Sequence, residues 1–172
     1  VQDVASQPLH LFLIWGLFAF ITLSFLLRQI FDLPGDKRWQ PIKAIWATFW
    51  TITPILLWGL MLIALLFMDG RLGDAAGIVT SRAISILPMA GGIAISLYSL
   101  LIRQAEKDSP GVIATLALIA LGYFMVMAVE LFYIVDVFFN RMNTVFKVHY
   151  QAWIVLAIAS AFCLFYLNRH QA

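Results

Sequence analysis

Long apolar stretches alternate with short polar connections along the whole chain. Five stretches stand out, at Leu9–Ile30, Ala44–Met68, Ala83–Ile102, Val112–Val129 and Tyr150–Leu167. Each approaches the ~20 residues that an α-helix needs to cross the hydrocarbon core of a bilayer. None alternates polar with apolar residues in steps of two, as the strands of a closed membrane barrel do. The pattern predicts an all-α, polytopic transmembrane helix bundle with about five spanning helices, occupying residues 1–172 as a single region.

The connections carry the breakers and the charges. Between the first two stretches lies FDLPGDKRWQPIK, where Pro34-Gly35 signals a turn and Pro41 suits the first turn of the next helix. DGRLGDAAG separates the second from the third, and QAEKDSPG the third from the fourth. Asp108-Ser109-Pro110 reads as a helix start. Pro54 and Pro88 fall inside predicted spans, and Gly91 and Gly92 follow Pro88. These can mark kinks with close helix packing, or a broken helix lining a cavity.

Composition agrees with the pattern. Hydrophobic residues make up 63% of the chain and charged residues 12%, whereas a soluble domain is about half apolar and about a quarter charged. A core of this size could not hide the surplus, so membrane lipid is an expected partner. No basic run interleaves with aromatics as a nucleic-acid surface requires, so nucleic acid is not an expected one. The one cysteine, Cys163, lies in an apolar run and reads as a small buried hydrophobe. No Cys/His cluster has metal-ligand spacing, so no metal site is expected, and the sequence does not identify a cofactor. The chain opens on Val1 and shows no signal peptide, and it is expected to be a portion of a longer membrane protein.

Basic residues set an orientation. An odd number of spans puts the two chain ends on opposite sides. Arg28, Lys37, Arg38, Lys43, Arg103, Lys107 and Arg169 fall on one side, and Arg71, Arg82, Arg141 and Lys147 on the other. By the positive-inside rule the first group faces the cytoplasm. The Glu130–Lys147 segment is then extracytoplasmic in a multi-pass protein of the cytoplasmic membrane.

That segment carries the candidate chemistry. ELFYIVDVFFNRMNTVFKVHYQAW, Glu130 to Trp153, sets Glu130, Asp136, Asn140, Arg141, Asn143, Lys147 and His149 among large apolar residues. A straight helix from Val112 to Leu167 would be about 84 Å long at ~1.5 Å per residue, against a core about 30 Å thick. The chain must therefore bend and run sideways here. Read as helix, Asp136, Asn140, Asn143 and Lys147 form one polar stripe, with Glu130 and Arg141 on a second face. Phe132, Phe139, Phe146 and Tyr150 form an aromatic ridge beside the stripe. A short interfacial helix is expected. Two readings of its charges stand side by side. Glu130 with Arg141, and Asp136 with Lys147, can be internal pairs that hold helices together. Alternatively Glu130, Asp136, Arg141, Asn143 and Lys147 line a site for an anionic ligand, Arg141 offering a bidentate fork to phosphate and Lys147 a point charge.

At this segment the sequence resembles a known family. RMNTVFKVHYQAW, with the preceding ELFYIVDVF, resembles the signature of the large Chlor_Arch_YYY membrane proteins, a domain of unknown function. PLHLFLIWGLFAFITLSFLL is similar to that family's helix with an HGLFLF-type core, with Trp15 here where His is often found. The matching positions are Glu130, Asp136, Arg141, Met142, Asn143, Thr144, Phe146, Lys147, Tyr150, Gln151 and Trp153. The resemblance implies a C-terminal portion of a protein of many hundreds of residues. It also implies likeness to GT-C glycosyltransferases, which take sugars from polyprenyl-phosphate donors on the outer face. In those enzymes the catalytic acidic residue typically lies in an early outward loop, which this sequence does not contain, and the YYY motif is likewise absent. A transporter or flippase of a lipid-linked or anionic solute, and a structural membrane subunit, are the alternatives.

Overall fold

The computed structural model describes residues 8–70, 72–132 and 142–169. Among them the chain is helical with no strand. Its elements are α1 Pro8–Phe31, a single turn α2 Gly35–Arg38, α3 Pro41–Met68, a 3₁₀ turn Leu72–Asp74, α4 Ala75–Ala105, α5 Pro110–Leu131 and α6 Met142–Arg169. Five of these helices are long and apolar enough to cross a membrane, and the protein is a multi-pass integral membrane protein.

The helix ends follow from local chemistry. Pro41 opens α3 and Pro110 opens α5, where a missing N–H costs nothing. Ser109 caps α5, its hydroxyl accepting from the Val112 N–H. α4 closes in a Schellman motif, the Asp108 N–H reaching the Arg103 carbonyl and the Lys107 N–H the Gln104 carbonyl. Lys107 holds the left-handed position with φ 55°, and Gly70 does the same after α3 with φ 67°. Both α3 and α4 run unbroken through Pro54 and Pro88, so the third span is not a broken helix.

α5 sits at the centre. It packs on α4 and α6, while α1 leans on α4 and α6, and α3 docks on α4. Over half of the most apolar window of α5 is buried (56%), against 17% for α3, so α3 turns most of its surface to its surroundings. Phe25, Ile93, Leu116, Ile119, Met127 and Leu156 lie in the shared core. Small residues bring the helices close: Gly92 of α4 faces the Tyr123 ring, and Gly122 of α5 faces Leu156. Inside this core the Thr22 and Tyr123 hydroxyls are 2.8 Å apart.

The end of the bundle holding the α1–α3 and α4–α5 connections is closed by polar pairs. Lys37 meets Glu106 at 2.8 Å, Arg103 meets Asp108 at 3.0 Å, and the Tyr98 hydroxyl donates to the Arg38 carbonyl. The Glu106 carboxylate, by hydrogen bond and charge, raises the Lys37 ammonium above its ordinary pKa. These contacts tie the two connections to one side of the membrane, as an up-and-down order of five spans requires.

Candidate functional site

The opposite end is where α4 begins, α5 ends and α6 begins. α5 closes at Leu131, and Phe132 is already extended (φ −129°, ψ 128°). The single helical register that placed Glu130 and Arg141 on one face therefore stops at Phe132. Glu130 belongs to the last turn of α5, while Asn143 and Lys147 belong to the first turns of α6. The expected sideways run, with Asp136, Asn140 and Arg141, lies outside the described residues.

Glu130 is completely buried (0% exposed). The last turn of a helix leaves carbonyls without intrahelical donors. At α5 the guanidinium of Arg82, itself only 3% exposed, answers this by donating from Nη1 to the Glu130 carbonyl. The helix dipole favours a cation at that end. The Arg82 guanidinium carbon also lies 6.0 Å from the centre of the Trp58 ring of α3. A cavity of about 400 Å³ opens beside them, lined by Trp58, Met61, Leu62, Ile78, Arg82 and Phe132 among others.

Arg82 was not among the residues expected to form the site. By its apolar pattern the third stretch starts at Ala83, which leaves Arg82 in a connection. α4 in fact starts at Ala75, about two turns earlier. The available signal was a lone Arg at the head of a long uncharged run, since an ionisable residue within a span is a functional candidate by default.

Asn143 and Lys147 lie four residues apart on α6 and are both exposed. Phe146 and Tyr150 form the exposed aromatic ridge beside them, as expected from their spacing. Beneath this ridge, between α1 and α6, lies a larger cavity of about 710 Å³ lined by Ile14, Trp15, Val145, Phe146, His149, Tyr150 and Trp153. Trp15 and His149 pack edge to face with ring centres 5.3 Å apart. Trp153 packs in the same way on Phe18 at 5.6 Å. Trp15 and His149 each lie seven residues into their helices, or about 10 Å below the helix ends. Lys147 stands about 3 Å further out along α6.

The same stretch of α6 carries the lining of an apolar, aromatic cavity and, on a neighbouring face, the exposed cation Lys147. Such a pairing suits an amphiphile, with a chain in the cavity and a charged head beside Lys147. Glu130 and Arg82 lie on α5 and α4, at the same end of the bundle. Among the described residues, no group of three His, Cys, Asp or Glu has the geometry to hold a metal ion.

Residues 2–156 match the model of a family described as uncharacterized membrane protein, DUF2298. No curated protein and no solved structure matches.

Proposed function

The chain belongs to the DUF2298 family of uncharacterized membrane proteins, and from that premise we propose that it is the C-terminal portion of a Chlor_Arch_YYY-type, GT-C-like glycosyltransferase using a polyprenyl-phosphate sugar on the outer face. The observation that carries this reading is the exposed Lys147 on the stretch of α6 that lines the α1–α6 aromatic cavity, with the exposed Asn143 one turn further out. A polyprenyl-phosphate sugar has the same order of parts: hydrocarbon, then phosphate, then sugar. In the transfer the bond between the sugar's anomeric carbon and the donor phosphate oxygen breaks. The acceptor oxygen forms the new bond, and the phosphate leaves with the electron pair. Lys147 would stabilise the charge gathering on that phosphate, with Arg141 as a second donor. Asp136 would orient the basic groups or meet the acceptor, while Glu130, fully buried, would act only by positioning. The acceptor hydroxyl gives up its proton to a catalytic carboxylate acting as base, which is assigned to the remainder of the full-length chain.

The test uses the full-length protein in nanodiscs. Lys147→Ala is expected to keep the wild-type melting temperature, because Lys147 is exposed. It should bind a polyprenyl phosphate about tenfold more weakly, the worth of one charge-assisted hydrogen bond, with the difference shrinking as salt rises. Combining Asp136→Lys with Lys147→Asp should not restore binding. Unchanged affinity in both Lys147→Ala and Arg141→Ala would refute the reading.

A further inference from the structure

The end of the bundle opposite Lys147 holds a cation that its protein surroundings leave unanswered. Lys43 lies in the first turn of α3. The acidic side chains nearby are taken by other cations. Asp32 pairs with Arg28 and Glu106 with Lys37, both at 2.8 Å, and Asp108 pairs with Arg103 at 3.0 Å. Asp36 adds its charge to the Lys37 pair. Lys43 is partly exposed, and its side chain makes no ion pair or hydrogen bond with any described residue. Arg38, at the end of α2, meets backbone carbonyls and the Phe31 ring rather than a carboxylate. The corner between α2 and α3 therefore keeps a positive charge. Below it on α3, Trp46, Trp50 and Leu57 share the helix face of Lys43. All three are more than half exposed, as is Trp39 just before the helix start. Phe49 packs edge to face on both indoles, at 6.0 Å on Trp46 and 5.7 Å on Trp50, and steadies them. α3 buries less of itself than any other span, so this stripe is open to the bilayer.

We propose that the corner between α2 and α3 binds an anionic glycerophospholipid, with its phosphate on Lys43, its ester carbonyls beside the Trp46 and Trp50 indoles, and an acyl chain along α3 toward Leu57. The order of groups down the helix matches the order of parts in such a lipid. At ~1.5 Å per residue, Trp46 stands about 5 Å and Trp50 about 10 Å deeper than Lys43. An indole offers one N–H on an apolar body, which suits the level where esters meet acyl chains. Headgroup charge selects the lipid. A choline or ethanolamine headgroup would bring its own cation against Lys43 and Arg38. A glycerol headgroup leaves the phosphate charge uncancelled, and the basic corner attracts it. This site lies on another helix and at the other end of the bundle from Lys147, so it stands or falls independently of the transferase reading.

The experiment uses the full-length protein in phosphatidylcholine nanodiscs. Each preparation carries a trace of diazirine-bearing phosphatidylglycerol or diazirine-bearing phosphatidylcholine, and labelled peptides are mapped by mass spectrometry. Both leaflets of a nanodisc are alike, so the result does not depend on orientation. Label from the phosphatidylglycerol probe should concentrate on α3 between Lys43 and Leu57. Unlabelled phosphatidylglycerol should compete for it better than added phosphatidylcholine. Lys43→Gln is expected to keep the wild-type melting temperature and to lower that label about fivefold, the worth of one cation near a charged membrane surface. The difference should shrink as salt rises, and Lys43→Arg should retain the label. Trp46→Leu should weaken labelling by both probes about twofold, because the ester carbonyls are common to both. Lys107→Gln is the control, since Lys107 is an exposed cation at the same end but off the α3 stripe; it should leave the α3 label unchanged. Equal losses in Lys43→Gln and Lys107→Gln would reveal a diffuse field instead of a site and overturn the proposal. An unchanged preference for phosphatidylglycerol in Lys43→Gln would overturn it as well. So would the absence of label on α3, the result expected if another helix of the full-length chain covers this face.

Discussion

Replacing Gly92 by alanine tests the packing at the centre of the bundle, and its neighbour Gly91 provides a control one residue away. A Cβ added at Gly92 would lie 2.8 Å from Cδ2, 2.9 Å from Cε2 and 3.0 Å from Cγ of Tyr123. Normal carbon contacts begin near ~3.5 Å, so the ring would have to retreat by more than half an ångström. The ring is poorly placed to do so. Tyr123 is 6% exposed, and its hydroxyl is tied to Thr22 at 2.8 Å. Thr22 in turn donates to the Phe18 carbonyl at 2.7 Å. Its single hydrogen is spent there, so Tyr123 is the donor of the pair. Overpacking costs about 1–3 kcal/mol, and losing the hydroxyl bond about 1 kcal/mol more. Alanine's better helix propensity returns up to ~1 kcal/mol. The net loss expected for Gly92→Ala is about 1–3 kcal/mol. At Gly91 an added Cβ meets nothing within 4 Å, so Gly91→Ala should be neutral or stabilise by up to ~1 kcal/mol. The assay is unfolding in mixed micelles by SDS titration, followed by circular dichroism. Tyr123→Leu in the Gly92→Ala background should remove most of the penalty, giving a coupling above ~1 kcal/mol. Equal shifts for Gly91→Ala and Gly92→Ala, or additive double-mutant energies, would refute the close approach of α4 and α5.

Two further outcomes follow from the site and the topology. Arg82→Met should cost about 1–3 kcal/mol in the same titration, because it leaves the Glu130 carbonyl buried without its donor; an unchanged midpoint would show that the contact does not stabilise the fold. Cysteines placed at Asp74 and Lys37 should react with impermeant reagents from opposite sides of the membrane, Asp74 from outside, while the native Cys163, fully buried, stays silent. Labelling of both from one side would break the five-span order, and a reversed pattern would remove the outward orientation on which the sugar-transfer reading depends.

The sequence by itself determined the helical class, the number of spans and most of their ends. Lipid cannot satisfy exposed backbone groups, so apolar stretches of this length have one available solution. Proline at the start of a helix and serine before it act through the chain's own nearest atoms, and α3 and α5 begin where those residues predict. The starts of α4 and α6 were harder to read. Arg82, Asn143 and Lys147 lower the local hydropathy, yet backbone hydrogen bonding continues through them, and both helices begin about two turns earlier than the apolar pattern indicates. The surroundings of the candidate residues were decided only by the tertiary structure. Glu130 and Lys147 look alike in sequence as charged residues among aromatics, yet one is sealed inside the bundle and the other faces out. Arg82 meets Glu130 across 48 positions of chain, and Trp15 meets His149 across an even longer separation. No periodicity within one helix encodes such meetings, because burial depends on which helices stand side by side and on how each is rotated about its axis. That choice is made by the packing of Gly92 on Tyr123 and of Gly122 on Leu156: small residues fix how closely and at what angle the helices meet, and so which side chains are enclosed between them.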